Sequence, residues 1–230
     1  MPSRYYRRNF INGYFYHIYN RGANKEKVFW DTQDYETFTA ILAYYLNNPL
    51  GKPLSILKRI ENKINPNKVP NLAEIANSTP TIKLCAYCLM PNHFHLLIKQ
   101  SADINKVNGI TNLMRRTTIT YAMYVKKKYD HSGTLFQGKF KNVLIQTDSQ
   151  LQHLSKYIHL NPVELQGSEP VESYEYSSYR CYKGLDIQPE WLFPNEILSF
   201  FPKKNTYLAY KAFVNEKSLS TESLQGITID

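Results

Sequence analysis

Cysteine is scarce in this 230-residue chain, with only Cys85, Cys88 and Cys181 present. An odd and sparse set makes no disulfide framework and suits a reducing compartment. Long hydrophobic runs are also missing: nothing approaches the roughly 20 uninterrupted apolar residues that span a bilayer. The opening MPSRYYRRNF has no apolar stretch of the signal-peptide kind. A soluble, cytoplasmic protein is expected. Glycine is limited to 9 positions and there is no internal repeat or low-complexity tract, so collagen-like and linker-like chains are excluded. What the chain has instead is core material, with 43% apolar residues, 19 tyrosines and 11 phenylalanines. That is ample for one main domain with an appendage.

Acidic residues are the other deficit, at 19 against 28 basic, and their placement is uneven. From Glu164 to the C-terminus there are 6 basic and 10 acidic residues, net −4, which leaves 22 basic and 9 acidic before it, net +13. The span Lys99 to Asn142 holds 9 basic residues against Asp103 and Asp130 alone. A surface of this kind attracts phosphate backbones, although it distinguishes neither an enzyme from a binder nor one sequence from another.

Tyr14 to Asn20 (YFYHIYN) is aromatic and β-branched and ends at Arg21-Gly22, the pattern of a buried strand. Asp34 to Leu46 has apolar residues at helical spacing and stops at Asn47-Asn48-Pro49. Residues 49–80, rich in Lys, Asn and Pro, are expected to be an insertion. Ile82 to Met90 and His93 to Lys99 flank Pro91-Asn92 as a hairpin, and a long helix is expected from an N-cap at Asp103 to Lys128. A strand over Phe140 to Gln146 and a helix over Ser149 to His159, stopped by Asn161-Pro162, complete the series. The order β-α-β-β-α-β predicts an α+β ferredoxin-like sandwich, an antiparallel sheet with helices on one face. The expected division is a catalytic domain over 1–165 and an acidic C-terminal extension over 166–230.

His93 and His95 are two apart in a strand, so both imidazoles leave the same face and can share one ion. For Mg²⁺ or Mn²⁺, oxygen ligands, water or a substrate phosphate would have to complete the coordination. Cys85 and Cys88 form a CxxC without a second pair, and at i and i+3 of a regular strand their sulfurs point to opposite faces. Two buried cysteines are expected there. Tyr121 and Tyr124 share a face of the long helix, flanked by Arg115, Arg116 and Lys126-Lys127-Lys128. A phenol, a metal and a phosphate brought together are the equipment for phosphoryl transfer through a covalent intermediate.

Six segments in order resemble the single-tyrosine HUH transposases, in particular the REP-associated tyrosine branch. They are YHIYNRG at 16–22, LMPNHFHLLIK at 89–99, LMRRTTITYAMYVKKKY at 113–129, HSGTLFQGKFKNVLI at 131–145, YIHLNPVE at 157–164 and YEYSSYRCYKG at 174–184. The resemblance implies His93 and His95 as metal ligands for Mg²⁺ or Mn²⁺ and Tyr121 as nucleophile, with Tyr124 as fallback. It leaves the third ligand unassigned, because the family often has Asn where this chain has Lys126, and a protonated lysine has no lone pair. The implied reaction is cleavage and rejoining of hairpin-bearing single-stranded DNA through a 5′-phosphotyrosine. DNA contacts are expected at Arg21, Arg115, Arg116, Gln137, Lys139 and Lys141. A catalytically silent hairpin-DNA binder on the same fold is the alternative, and a monomer is favoured over a dimer.

Overall fold

The computed structural model describes residues 9–48, 81–101, 109–166 and 170–216. The expected insertion over 49–80 and the expected N-cap at Asp103 lie outside the described residues. Strand β1 (Phe15–Arg21) is followed by α1 (Thr32–Asn47), the hairpin β2 (Ile82–Met90) and β3 (His93–Gln100), α2 (Gly109–Tyr129) and β4 (Lys141–Ile145). The sheet order is β2-β3-β1-β4, with each neighbouring pair antiparallel. This is the split β-α-β order of a ferredoxin-like βαββαβ sheet, as expected.

Alternation along β1 sorts the two faces. Tyr16 and Ile18 join Phe94, Leu96 and Ile98 of β3 beneath α1 and α2, in a core that includes Phe38, Met114 and Tyr121. Phe15, His17, Tyr19 and Arg21 leave the opposite face, opposite Lys99, Leu97, His95 and His93 in register. That face is covered too, which corrects the expectation of helices on one side only. Helix α3 (Asp148–Leu160) and the short helices α4 (Val163–Gln166), α5 (Tyr179–Tyr182), α6 (Asn195–Leu198) and α7 (Thr206–Asn215) follow β4. Leu151, Leu154 and Ile158 of α3 share a second core with Leu97, Tyr182, Ile197 and Tyr210.

Helix α1 starts at a capping box in which Asp31 accepts from the Asp34 amide and Asp34 accepts from the Asp31 amide. Asp34 is fully buried and also accepts from the Trp30 amide, Lys128 Nζ, Tyr124 Oη and Tyr129 Oη, each at 2.8 Å. Burial pushes its carboxyl upward, but Lys128 and these donors outweigh it and hold the group below the usual range. The network joins the start of α1 to the end of α2. Asp34→Ala is expected to cost about 3 kcal/mol, the low end for removing one partner of a buried pair, because Lys128 keeps partial contact with water. Urea unfolding would measure it.

The C-terminal segment is tied to α3 through His159. Its Nδ1 lies 2.7 Å from Tyr210 Oη, which donates to Ser155 Oγ, and its Nε2 lies 2.7 Å from Ser178 Oγ. Burial pushes its pKa down to about 3. A histidine near 6.5 when unfolded therefore binds its proton preferentially in the unfolded chain between those two values, and stability falls as the pH drops below 6.5. Between pH 6.5 and pH 4 the wild type should lose stability more steeply than His159→Gln, by up to about 1.4 kcal/mol per pH unit. Equal slopes in denaturant titrations would show that His159 does not couple folding to pH.

Strand β2 also corrects the reading of the CxxC. A register shift between Leu84 and Ala86 inserts Cys85 as an extra residue, so Cys85 and Cys88 both join the second core rather than diverging. Both thiols are free, and burial raises their pKa values far above that of a solvated cysteine. They are inert core groups, as expected from their isolation.

Candidate active site

Strand β3 carries His93 and His95 to the face covered by α3, with ring centroids 4.9 Å apart and planes at 87°. His95 is fully buried, and its Nδ1 lies 2.9 Å from Nε2 of the equally buried His17 on β1. Its other nitrogen, Nε2, is buried and has no hydrogen-bond partner. Burial, reinforced by His17 and His93, lowers the His95 pKa well below that of a solvated imidazole. The ring is thus neutral, the form that can offer a lone pair.

Helix α3 supplies the other side of the site. A second capping box, Thr147 with Gln150, starts it, and Pro162 follows its last turn. Tyr157 and Asn161 are four apart and share the face turned to the histidines. The Tyr157 ring stands perpendicular to His95 at a centroid distance of 5.4 Å. Asn161 Nδ2 donates to the Tyr157 carbonyl at 3.0 Å, which turns Oδ1 toward His93 Nε2 at 3.3 Å. His93 Nδ1 is 2.6 Å from Asn92 Oδ1. Among the described residues no group of three His, Cys, Asp or Glu is placed to hold a metal ion. The donor set here is instead two imidazoles and one amide oxygen, with an unpartnered buried nitrogen at its centre. It fits a divalent cation whose remaining positions are filled by water and phosphate oxygens.

The expected nucleophile is elsewhere. Tyr121 is fully buried in the core on the opposite side of the sheet, and its hydroxyl donates to the Val28 carbonyl at 2.6 Å. Burial raises its pKa far above the tyrosine norm. The fallback Tyr124 faces the same way and donates to Asp34. Helix α2 bears on the face that the histidines do not use, so the YxxY cannot meet them and Lys126 occupies no ligand position. Helical spacing shows which residues share a face of one helix, but not which face of the sheet that helix covers.

The six expected DNA contacts divide in the same way. Arg21 is the register partner of His93, and its Nε donates to Gln137 Oε1 at 2.5 Å. Lys141, paired with Tyr19 on β4, lies on the histidine face with its Nζ 5.9 Å from the Tyr19 ring centre. Exposed Lys139 lies in the loop between Gln137 and Lys141. By contrast Arg115 and Arg116 belong to α2: Arg115 bonds Asn112, while Arg116 sits 4.1 Å over the Tyr45 ring and donates to the Asn48 carbonyl. These two lie in the far layer and are not neighbours of the histidines.

Comparison with known proteins bears on this arrangement directly. Residues 58–161, which contain both histidines, Tyr157 and Asn161, match the family described as "Transposase IS200 like". That match covers 104 of the 230 residues, a little under half of the chain. Over 112 residues it is 31% identical to a Haemophilus influenzae protein named "Putative REP-associated tyrosine transposase", an alignment of 46% of this chain. The chain spans 63% of the length of that relative. A solved REP-associated tyrosine transposase bound to a REP hairpin aligns with 80% of this chain and 87% of that one, at 16% identity and a TM-score of 0.49. The matched stretch ends at residue 161, so the histidine pair and the Tyr157–Asn161 side of the site both fall inside it. No described helix is long and apolar enough to cross a membrane.

Proposed function

We propose that this chain is a DNA strand transferase that cuts and rejoins single-stranded DNA bearing a hairpin, with Tyr157 as nucleophile. The observation that carries the proposal is the convergence of Tyr157, Asn161, His93 and His95 on one face of the sheet. The Tyr157 hydroxyl oxygen attacks a backbone phosphorus, the P–O3′ bond breaks, and a 5′-phosphotyrosine forms. The phenol gives up its proton as the departing 3′ oxygen gains one, so the exchange balances and no nucleotide cofactor is consumed. His93, His95 and Asn161 would hold Mg²⁺ or Mn²⁺, which when bound polarises the phosphate. Arg21, Gln137, Lys139 and Lys141 would position the phosphate backbone at the site. The preference for a hairpin rests on the family resemblance. Since nucleophile and ligands come from one chain, a monomer suffices.

Incubation with a hairpin-flanked single-stranded oligonucleotide should yield a covalent adduct with Mn²⁺ and none with EDTA. No adduct on any hairpin substrate, with DNA binding intact, would support the silent-binder alternative instead.

Salt dependence tests the phosphate contacts. Each contact to a single strand adds about 0.7 to the slope of log affinity against log salt. Arg21→Ala and Lys141→Ala should each lower that slope by about 0.7. Arg115→Ala should leave it unchanged, because Arg115 lies in the opposite layer. A fall in slope for Arg115→Ala alone would move the DNA to the α2 side.

A further inference from the structure

We infer that His17 is a positioning residue for the metal site, fixing the tautomer of His95 so that its Nε2 lone pair faces the ion. The inference rests on the proposed metal site and adds a residue that touches neither ion nor substrate.

His17 and His95 are both fully buried, with nitrogens 2.9 Å apart, ring planes within 15° and centroids 5.1 Å apart. The two nitrogens therefore lie close to the line joining the ring centres, the arrangement of an edge-to-edge hydrogen bond rather than a face-to-face stack. Such a bond needs one N–H and one lone pair, and only two assignments exist. If His17 Nε2 donates, His95 carries its proton on Nε2, and no cation can bind there. If His95 Nδ1 donates, its Nε2 is a bare lone pair aimed into the site. Only the second assignment leaves His95 able to act as a ligand. The pattern is the one by which a ligand's remaining ring N–H is held by an acceptor outside the coordination sphere. The framework is rigid: β1 lies at the centre of the sheet, between β3 and β4, and His17 pairs with Leu97 and Val143 across it.

The inference is tested on the full chain. Long-range ¹H–¹⁵N spectra of the histidine rings in the metal-free wild type should show His95 protonated at Nδ1 and bare at Nε2. Titration with Mn²⁺ should then show roughly 10- to 100-fold weaker binding for His17→Phe, the loss expected when an outer partner of a ligand is removed. His17→Gln, whose amide oxygen can still accept from His95, should bind within about threefold of wild type. A His95 protonated at Nε2, or wild-type Mn²⁺ affinity in His17→Phe, overturns the inference. If His17→Phe does not fold, the wild-type spectra decide alone. A wild type that binds no Mn²⁺ brings down the proposed metal site, and this inference with it, before any variant is compared.

Discussion

On the proposed mechanism, Tyr157→Phe should abolish covalent attachment to DNA and leave hairpin binding within about twofold, since it removes one oxygen and no packing surface. The matching change on the other side of the sheet is expected to behave in the opposite way. Tyr121→Phe should keep the adduct and lose about 1 to 2 kcal/mol of stability, because the buried Val28 carbonyl loses the hydroxyl that donates to it. The pair of variants separates chemistry from packing at two tyrosines of the same chain. Adduct formation is read by a mobility shift on a denaturing gel, and stability by urea unfolding. An adduct that survives in Tyr157→Phe and vanishes in Tyr121→Phe would return the nucleophile to α2. It would also require that helix to leave the core.

The second large effect is expected at the ligands. His95→Ala should reduce cleavage to background and Mn²⁺ affinity by at least about 100-fold, since one imidazole and one amide hold a divalent ion poorly against water. Asn161→Ala should do less to affinity, because an amide oxygen is a weaker ligand than imidazole, yet it should slow cleavage at subsaturating Mn²⁺ and recover at high Mn²⁺. Asn161 also anchors the end of α3 by donating to the Tyr157 carbonyl. Circular dichroism and the melting temperature of Asn161→Ala therefore need to accompany its kinetics. Calorimetry showing wild-type Mn²⁺ affinity in both His93→Ala and His95→Ala would remove the metal from this site altogether.

The arrangement gives the C-terminal segment a physical task. Tyr157 and Asn161 are placed by α3, and α3 is held from behind by His159, which contacts Ser178 after the last strand and Tyr210 on α7. Lys156 is buried beside them, and its Nζ donates to the Glu216 carbonyl. The segment that is acidic in sequence thus supports the helix that carries the proposed nucleophile.

Much of the fold follows from local chemistry and could be read from the residues. YFYHIYN and the HFHLLIK strand are apolar and aromatic enough to be buried on both faces, and Pro91-Asn92 permits a tight turn between strands. Helices α1 and α3 announce themselves by Asp31 and Thr147 at their N-caps and by Asn-Pro at their ends. The histidine pair was legible for the same reason, since strand geometry alone puts i and i+2 on one face. Tyr157 and Asn161 were also present at i, i+4 in YIHLNPVE, a spacing that could have drawn notice beside HxH. What no local pattern contains is which face of the sheet each helix covers. That is decided by long-range packing. Helices α1 and α2, as the crossovers of β1-to-β2 and β3-to-β4, fall on one side, where Phe94, Leu96 and Ile98 wait, and α3 is left the side of His93, His95 and Leu97. The same long-range pairing inserted Cys85 as a bulge and set His17 against His95, because register across strands far apart in sequence depends on the whole sheet closing its core. The histidine pair was therefore written locally, while the tyrosine, the amide and the third histidine that stand beside it were decided only when the chain folded.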